Sequence, residues 1–166
     1  MKKTILLVLL TFLGSILFAD PFGLKMGMTL AEIAEKCSGG KEPEYVGGGV
    51  MYKIDPIKKN NHFVKYLAYV HDDLGLFAIT VETKPEDIEE CKKRLKLLSL
   101  MLGMVYGEGA EGRSIMWIPE VNEALRNEKL DCVTLEMKYV DGEKRRCELF
   151  YMFENFDQAK GAVSPF

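Results

Sequence analysis

Val133-Thr134-Leu135-Glu136-Met137-Lys138-Tyr139-Val140-Asp141-Gly142-Glu143-Lys144-Arg145-Arg146-Cys147-Glu148-Leu149-Phe150-Tyr151-Met152-Phe153 is the stretch on which the fold turns. Val133, Leu135, Met137 and Tyr139 alternate before Asp141-Gly142, and Cys147, Leu149, Tyr151 and Phe153 alternate after it. Successive side chains of a strand point to opposite faces, so each run offers one apolar face to a core. Two such runs around a turn dipeptide predict a hairpin. Its register is constrained. A two-residue Asp141-Gly142 turn would set Leu135 against Glu148 and Met137 against Arg146. A one-residue slip exchanges the faces, so an odd-length loop or a bulge is needed to bring the two apolar faces together. The stretch therefore predicts a three-residue loop or a bulged turn.

The chain before it contains a second hairpin signal. The runs from Phe63 to His71 and from Leu76 to Thr83 flank Asp72-Asp73-Leu74-Gly75, with Val64, Tyr66, Ala68 and Val70 alternating in the first. Tyr45 to Ile54 reads as a strand interrupted by Gly47-Gly48-Gly49, which marks a bulge, a bend or a close backbone approach. Thr29-Leu30-Ala31-Glu32 is a capping box that opens a short helix, ended by Gly39-Gly40. Thr83-Lys84-Pro85-Glu86 is a second box, expected to open a long helix. Its buried stripe is Ile88, Cys91, Leu95, Leu98, Leu102 and Val105, with Glu89–Lys93 and Glu90–Arg94 as i,i+4 pairs on the wet side. From Leu97 to Val105 this helix is apolar nearly all round. Either that end is driven into the core, or it carries a partner-facing patch. Gly107, Gly109 and Gly112 then form a loop before Ile115-Met116-Trp117-Ile118, and Pro119 starts a short helix with Val121, Ala124 and Leu125 inward. The resulting order is α-β-β-β-α-(α)-β-β. It predicts an α+β domain, an antiparallel sheet of about five strands with two main helices on one face. The two halves share a helix-then-strands layout without a residue-level repeat.

Composition places this domain after a leader. Lys2 and Lys3 precede an apolar run from Ile5 to Phe18, closed by Ala19 before Asp20-Pro21, the pattern of a secretory signal peptide over residues 1–19. Residues 20–166 then form one domain, in which 20 Lys and Arg face 25 Asp and Glu for a net charge of −5. The expected location is periplasmic or extracellular. The 14-residue apolar run is short of the ~20 residues a spanning helix needs, and no later run approaches it. An acidic chain without a basic block is a poor match for nucleic acid.

Motifs for chemistry are sparse. The two histidines, His62 and His71, fit no zinc spacing, there is no C-x-x-C, and Gly47-Gly48-Gly49 lacks the Lys-Ser/Thr of a phosphate loop. No catalytic residue, cofactor or metal is therefore assigned. Export permits disulfides among Cys37, Cys91, Cys132 and Cys147. Cys132 and Cys147 fall on opposite faces of neighbouring strands and should not pair. That leaves Cys91 with Cys147 or Cys132 in a fully oxidised chain. Cys91–Cys147 is the preferred single bond, and four buried thiols are the alternative. Arg113 and Trp117, beside the glycine-rich loop, are residue types enriched at binding hot spots, although a lone Trp also serves as a core plug.

Phe22-Gly23-Leu24-Lys25-Met26-Gly27-Met28-Thr29-Leu30, Gly75-Leu76, Tyr106-Gly107, the isolated Trp117 and Tyr151 to Asn155 together resemble a group of small exported bacterial proteins of unassigned function. The Gly27-Met28-Thr29-x-x-Glu32 segment also resembles the helix start of the SmpA/OmlA outer-membrane assembly lipoproteins and of β-lactamase-inhibitor-like domains. That resemblance implies a small α+β binding module. The chain lacks the acylated Cys of the lipoproteins. The combined expectation is an exported, non-catalytic binding or assembly module of the cell envelope, with an exported hydrolase as the alternative. Its contact surface is expected on the helix-free sheet face, at Phe150 and Met152 among Thr134, Glu136, Lys138 and Glu148, with Arg113 and Trp117 as further candidates.

Overall fold

The computed structural model describes residues 21–162; the predicted leader and the last four residues lie outside the described residues. In chain order the strands are β1 (Glu44–Gly47), β2 (Met51–Lys53), β3 (Lys65–His71), β4 (Gly75–Glu82), β5 (Ala110–Glu111), β6 (Ile115–Trp117), β7 (Leu130–Asp141) and β8 (Lys144–Phe153). The helices are α1 (Leu30–Glu35), α2 (Ile88–Tyr106), α3 (Glu123–Asn127) and α4 (Phe156–Ala162).

β7 and β8 form the predicted hairpin, with Leu135 opposite Leu149 and Met137 opposite Cys147. Tyr139 lies opposite Arg145 but Asp141 opposite Lys144, so Val140 is an extra residue beside a tight turn at Gly142-Glu143. This is the bulged turn required by the two apolar faces.

All strand pairs are antiparallel and join one sheet in the order β1-β2-β3-β4-β8-β7-β6-β5. The first half of the chain is α1 followed by four strands; the second runs α2, β5, β6, α3, β7, β8 and α4, and the halves meet where β4 pairs with β8, Thr80 opposite Phe150. The sheet thus has eight strands among the described residues, not about five. Three glycines at φ +145°, +66° and +70° fold the expected Tyr45–Ile54 strand back on itself as the β1–β2 hairpin. The other two additions, β5 and β6, are too short to show an alternating pattern.

The expectation of two helices on one face is also corrected. Ile33 of α1, Cys91, Leu98, Leu102 and Tyr106 of α2 and Leu125 of α3 pack with Ile79, Val81, Leu149, Tyr151 and Val133 in the main core. α4 packs on the other face, where Ala159 and Phe156 meet Phe77, Ala78, Tyr69 and Phe150. With cover on both faces, every residue of β4 is buried.

The capping box at α1 is present: Thr29 N–H donates to Glu32 Oε2 at 2.8 Å and Glu32 N–H to Thr29 Oγ1 at 3.3 Å. The box expected at Thr83 does not form. Thr83 N–H donates to the Cys147 carbonyl, Cys147 N–H donates to Thr83 Oγ1, and Glu86 exchanges backbone bonds with Arg145. This pairing keeps residues 83–86 extended, and α2 is capped instead by Asp87, which accepts from Glu90 N–H at 3.0 Å. The α2 ion pairs accordingly shift to Lys92–Glu89, Lys93–Glu90 and Arg94–Glu86.

Candidate functional site: a groove at the end of the long helix

The all-apolar end of α2 is driven into the core on one side only. Leu98, Leu102 and Tyr106 are buried against the sheet. Leu97, Leu100 and Met104 are 42%, 66% and 40% exposed. Their i, i+3, i+7 spacing puts them on one stripe of the helix, turned away from the core.

The chain after α2 shapes the space beside this stripe. Gly107 ends the helix, its N–H donating to the Gly103 carbonyl. Trp117 Nε1–H donates to the Gly107 carbonyl at 2.9 Å, and the Asn122 side-chain amide donates to the Tyr106 carbonyl. These two bonds hold the helix terminus against β6. Gly109 then passes so close to β6 that a side chain there would meet Ile115 at 2.7 Å and the Trp117 ring at 2.8 Å. The short β5–β6 hairpin consequently stands beside the last turns of α2. An open groove of about 650 Å³ lies between them, lined by Leu100, Gly103, Met104, Gly109, Glu111 and Ile115. Ser99 and Glu108 add polar groups to its wall.

The predicted contact residues fall in different places. Trp117 is a core plug, 2% exposed, and acts on the groove only by positioning Gly107 and Gly109. Arg113 is exposed in the loop between β5 and β6, the hairpin that walls the groove. Phe150 and Met152 do lie on the sheet face opposite the main core, but both are half-buried. Phe150 belongs to a ring cluster under α4, with centroids 6.4 Å from Tyr69 and 6.0 Å from Phe156. The charged half of that face is internally paired: Glu82 accepts from Lys65 Nζ at 3.1 Å and Arg146 Nη1 at 3.0 Å, and Lys138 pairs with Glu136 at 2.6 Å.

The remaining reactive side chains stand apart from the groove. His62 Nδ1 is 3.4 Å from Arg94 Nη1, and burial with the nearby Arg94 charge holds the imidazole pKa below its usual value. His71 Nδ1 accepts from Asp73 N–H at 3.1 Å within the β3–β4 turn. Among the described residues no cluster of three His, Cys, Asp or Glu side chains is arranged to hold a metal ion, and no helix is long and apolar enough to cross a membrane. Cys91 on α2 and Cys147 on β8 come together in the main core with Sγ atoms 3.7 Å apart. Cys132 is opposite Met152 on the other sheet face, and Cys37 bridges to Pro56.

Three of the segments that carried the resemblance meet in the fold. Gly27 N–H donates to the Leu76 carbonyl at 2.9 Å, and Leu76 N–H to the Met28 carbonyl at 2.8 Å. The Asn155 amide donates to the carbonyls of Leu74 and Leu76 at 3.1 and 3.2 Å. Phe22 packs edge-on against Tyr66 and Tyr151. These residues latch the start of the domain onto the sheet, which is a structural task. The chain matches no protein-family model, no curated protein and no solved structure.

Proposed function

We propose that this chain is an exported, non-catalytic binding module that docks another protein of the cell envelope. The contact surface is the groove between the C-terminal half of α2 and the β5–β6 hairpin. One observation carries the proposal: Leu97, Leu100 and Met104 form an exposed stripe on a helix whose opposite side is fully used by the core. Clustered apolar side chains rimmed by polar groups mark contact surfaces on folded chains. Ser99, Glu108 and Glu111 supply that rim, and Arg113 adds a cation at the tip of the hairpin. The surface moves from the sheet face to this groove because Phe150 is already engaged by α4. The location of the partner follows from the leader expected at residues 1–19 and the acidic domain behind it.

The test places a photo-crosslinking amino acid at position 100, or at position 64 as a control. Val64 is 64% exposed in a different part of the molecule. A discrete adduct is expected from position 100 and not from position 64, lost when Leu100→Asp is combined with Met104→Asp, with an unchanged unfolding midpoint. Equal adducts from the two positions, or an adduct that survives both aspartates, would discard the groove as the contact surface.

A further inference from the structure

We infer that Cys91 and Cys147 are a disulfide-forming pair that fastens α2 to β8, and that the bond forms before the helix docks. The placement is specific to these two residues. Cys91 sits in the first turn of α2 on its core side, Cys147 on the core face of β8, and both are fully buried. Their Sγ atoms are 3.7 Å apart, in direct contact, and must close to about 2.05 Å to bond. The backbone at both ends is already fixed. Thr83 and Cys147 exchange backbone and side-chain bonds, and Glu86 ties to Arg145 and through its carboxylate to Arg94 on α2. Cys37 and Cys132 have no such counterpart: one lies at the Pro56 bridge and the other on the opposite face of the sheet. One bond and two thiols is therefore the fully oxidised state.

The order of events follows from burial. A thiol attacks a disulfide as its thiolate, and the folded protein disfavours that form at both residues, burial raising the pKa of Cys91 and of Cys147. An oxidant also has no path to Sγ atoms under a docked helix. In a partly folded chain, with residues 83–86 paired to β8 and α2 not yet docked, both obstacles vanish while the two cysteines stay close. There, one thiolate attacks the sulfur–sulfur bond of a disulfide-bearing oxidant, forming a mixed disulfide and releasing one thiol. The second cysteine thiolate attacks the protein sulfur of that mixed bond, closing Cys91–Cys147 and releasing the second thiol. The two protein thiols lose two electrons and two protons, and the oxidant becomes two thiols. In the cell this step rests on the proposed export to an oxidising compartment, whereas in vitro it does not.

The experiment therefore has an arm independent of export. Full-length chain is reduced, denatured and refolded in a mixture of oxidised and reduced glutathione. It is then digested without reduction. The expected product is a Cys91 peptide joined to a Cys147 peptide, with Cys37 and Cys132 alkylatable. The same oxidant added to the already folded, reduced protein should react roughly tenfold more slowly or worse. The residues are 56 apart in sequence, so closing the loop should shift the folding equilibrium toward the native state by up to about a thousandfold, read as a higher denaturant midpoint for oxidised than for reduced protein. Four alkylatable thiols after refolding, a different pairing, or a midpoint no higher than that of the reduced chain would overturn the pairing. Oxidation of the folded protein as fast as during refolding would overturn the order. If the bond forms in vitro while protein recovered from cells carries four thiols, the pairing stands and the export reading fails.

Discussion

Gly75→Ala tests whether the opening segment of the domain is held by the β3–β4 turn. Gly75 has φ +65°, and a Cβ there would lie 2.1 Å from the Gly27 carbonyl oxygen. The backbone conformation alone costs about 1–2 kcal/mol for a residue with a side chain. The clash is with backbone, which cannot rotate away, so the Met26–Thr29 segment must move off β4. That movement removes the two bonds linking Gly27, Leu76 and Met28, each worth about 0.5–1.5 kcal/mol. The total is about 2–5 kcal/mol, a large part of the stability of an ordinary domain. Gly39→Ala isolates the conformational part: its φ is +68° and a Cβ there meets nothing within 4 Å. Urea unfolding followed by circular dichroism should therefore place Gly75→Ala about 1–3 kcal/mol below Gly39→Ala. If the two variants agree within about 0.5 kcal/mol, the latch contributes nothing and the reasoning is refuted.

Asn155→Ala removes the donors to the Leu74 and Leu76 carbonyls and should cost about 1–3 kcal/mol in the same unfolding assay; a neutral effect would detach Asn155 from the latch. Glu86 is held below the usual carboxylate pKa by its hydrogen bonds from Arg94. A depressed folded-state pKa gives stability that is complete above the unfolded value and lost as pH falls through the folded one. Midpoints measured from pH 7 down to pH 3 should therefore fall more steeply for the native chain than for Glu86→Gln, and parallel curves would count against the pair.

The last hairpin was legible because two constraints met in one short stretch. Alternation assigned the faces of β7 and β8, and matching those faces demanded the irregularity found at Val140. The start of α1 was equally readable, since Thr29 and Glu32 satisfy each other within four residues. The start of α2 was not. Thr83 and Glu86 fit a capping pattern, but their backbone groups are taken by Cys147 and Arg145, some sixty residues later in the chain. Local chemistry cannot register such a competitor. The outer sheet face failed for a similar reason. α4 is seven residues long and contains Gly161, so no helical stripe announces that it will cover Phe150. In the groove, the composition of residues 97–105 signalled an unusual helix end but not its orientation. When every side of a helix is apolar, periodicity cannot say which side the sheet will take. Leu100 and Met104 became distinguishable from Leu98 and Leu102 only once β7 and β8 were in place.

The seam between β4 and β8 also divides the chain in time. β4 is finished at Glu82, yet its second neighbour is made last among the strands and ends at Phe153. Until then the nascent chain presents an unpaired edge along a strand that is apolar from Leu76 to Ile79. An edge of that kind is a template for pairing with other chains. The first half has a helix and four strands of its own, but β4 gains its second partner only when β8 is made. A hold on folding until the second half emerges would keep that edge from pairing with other chains.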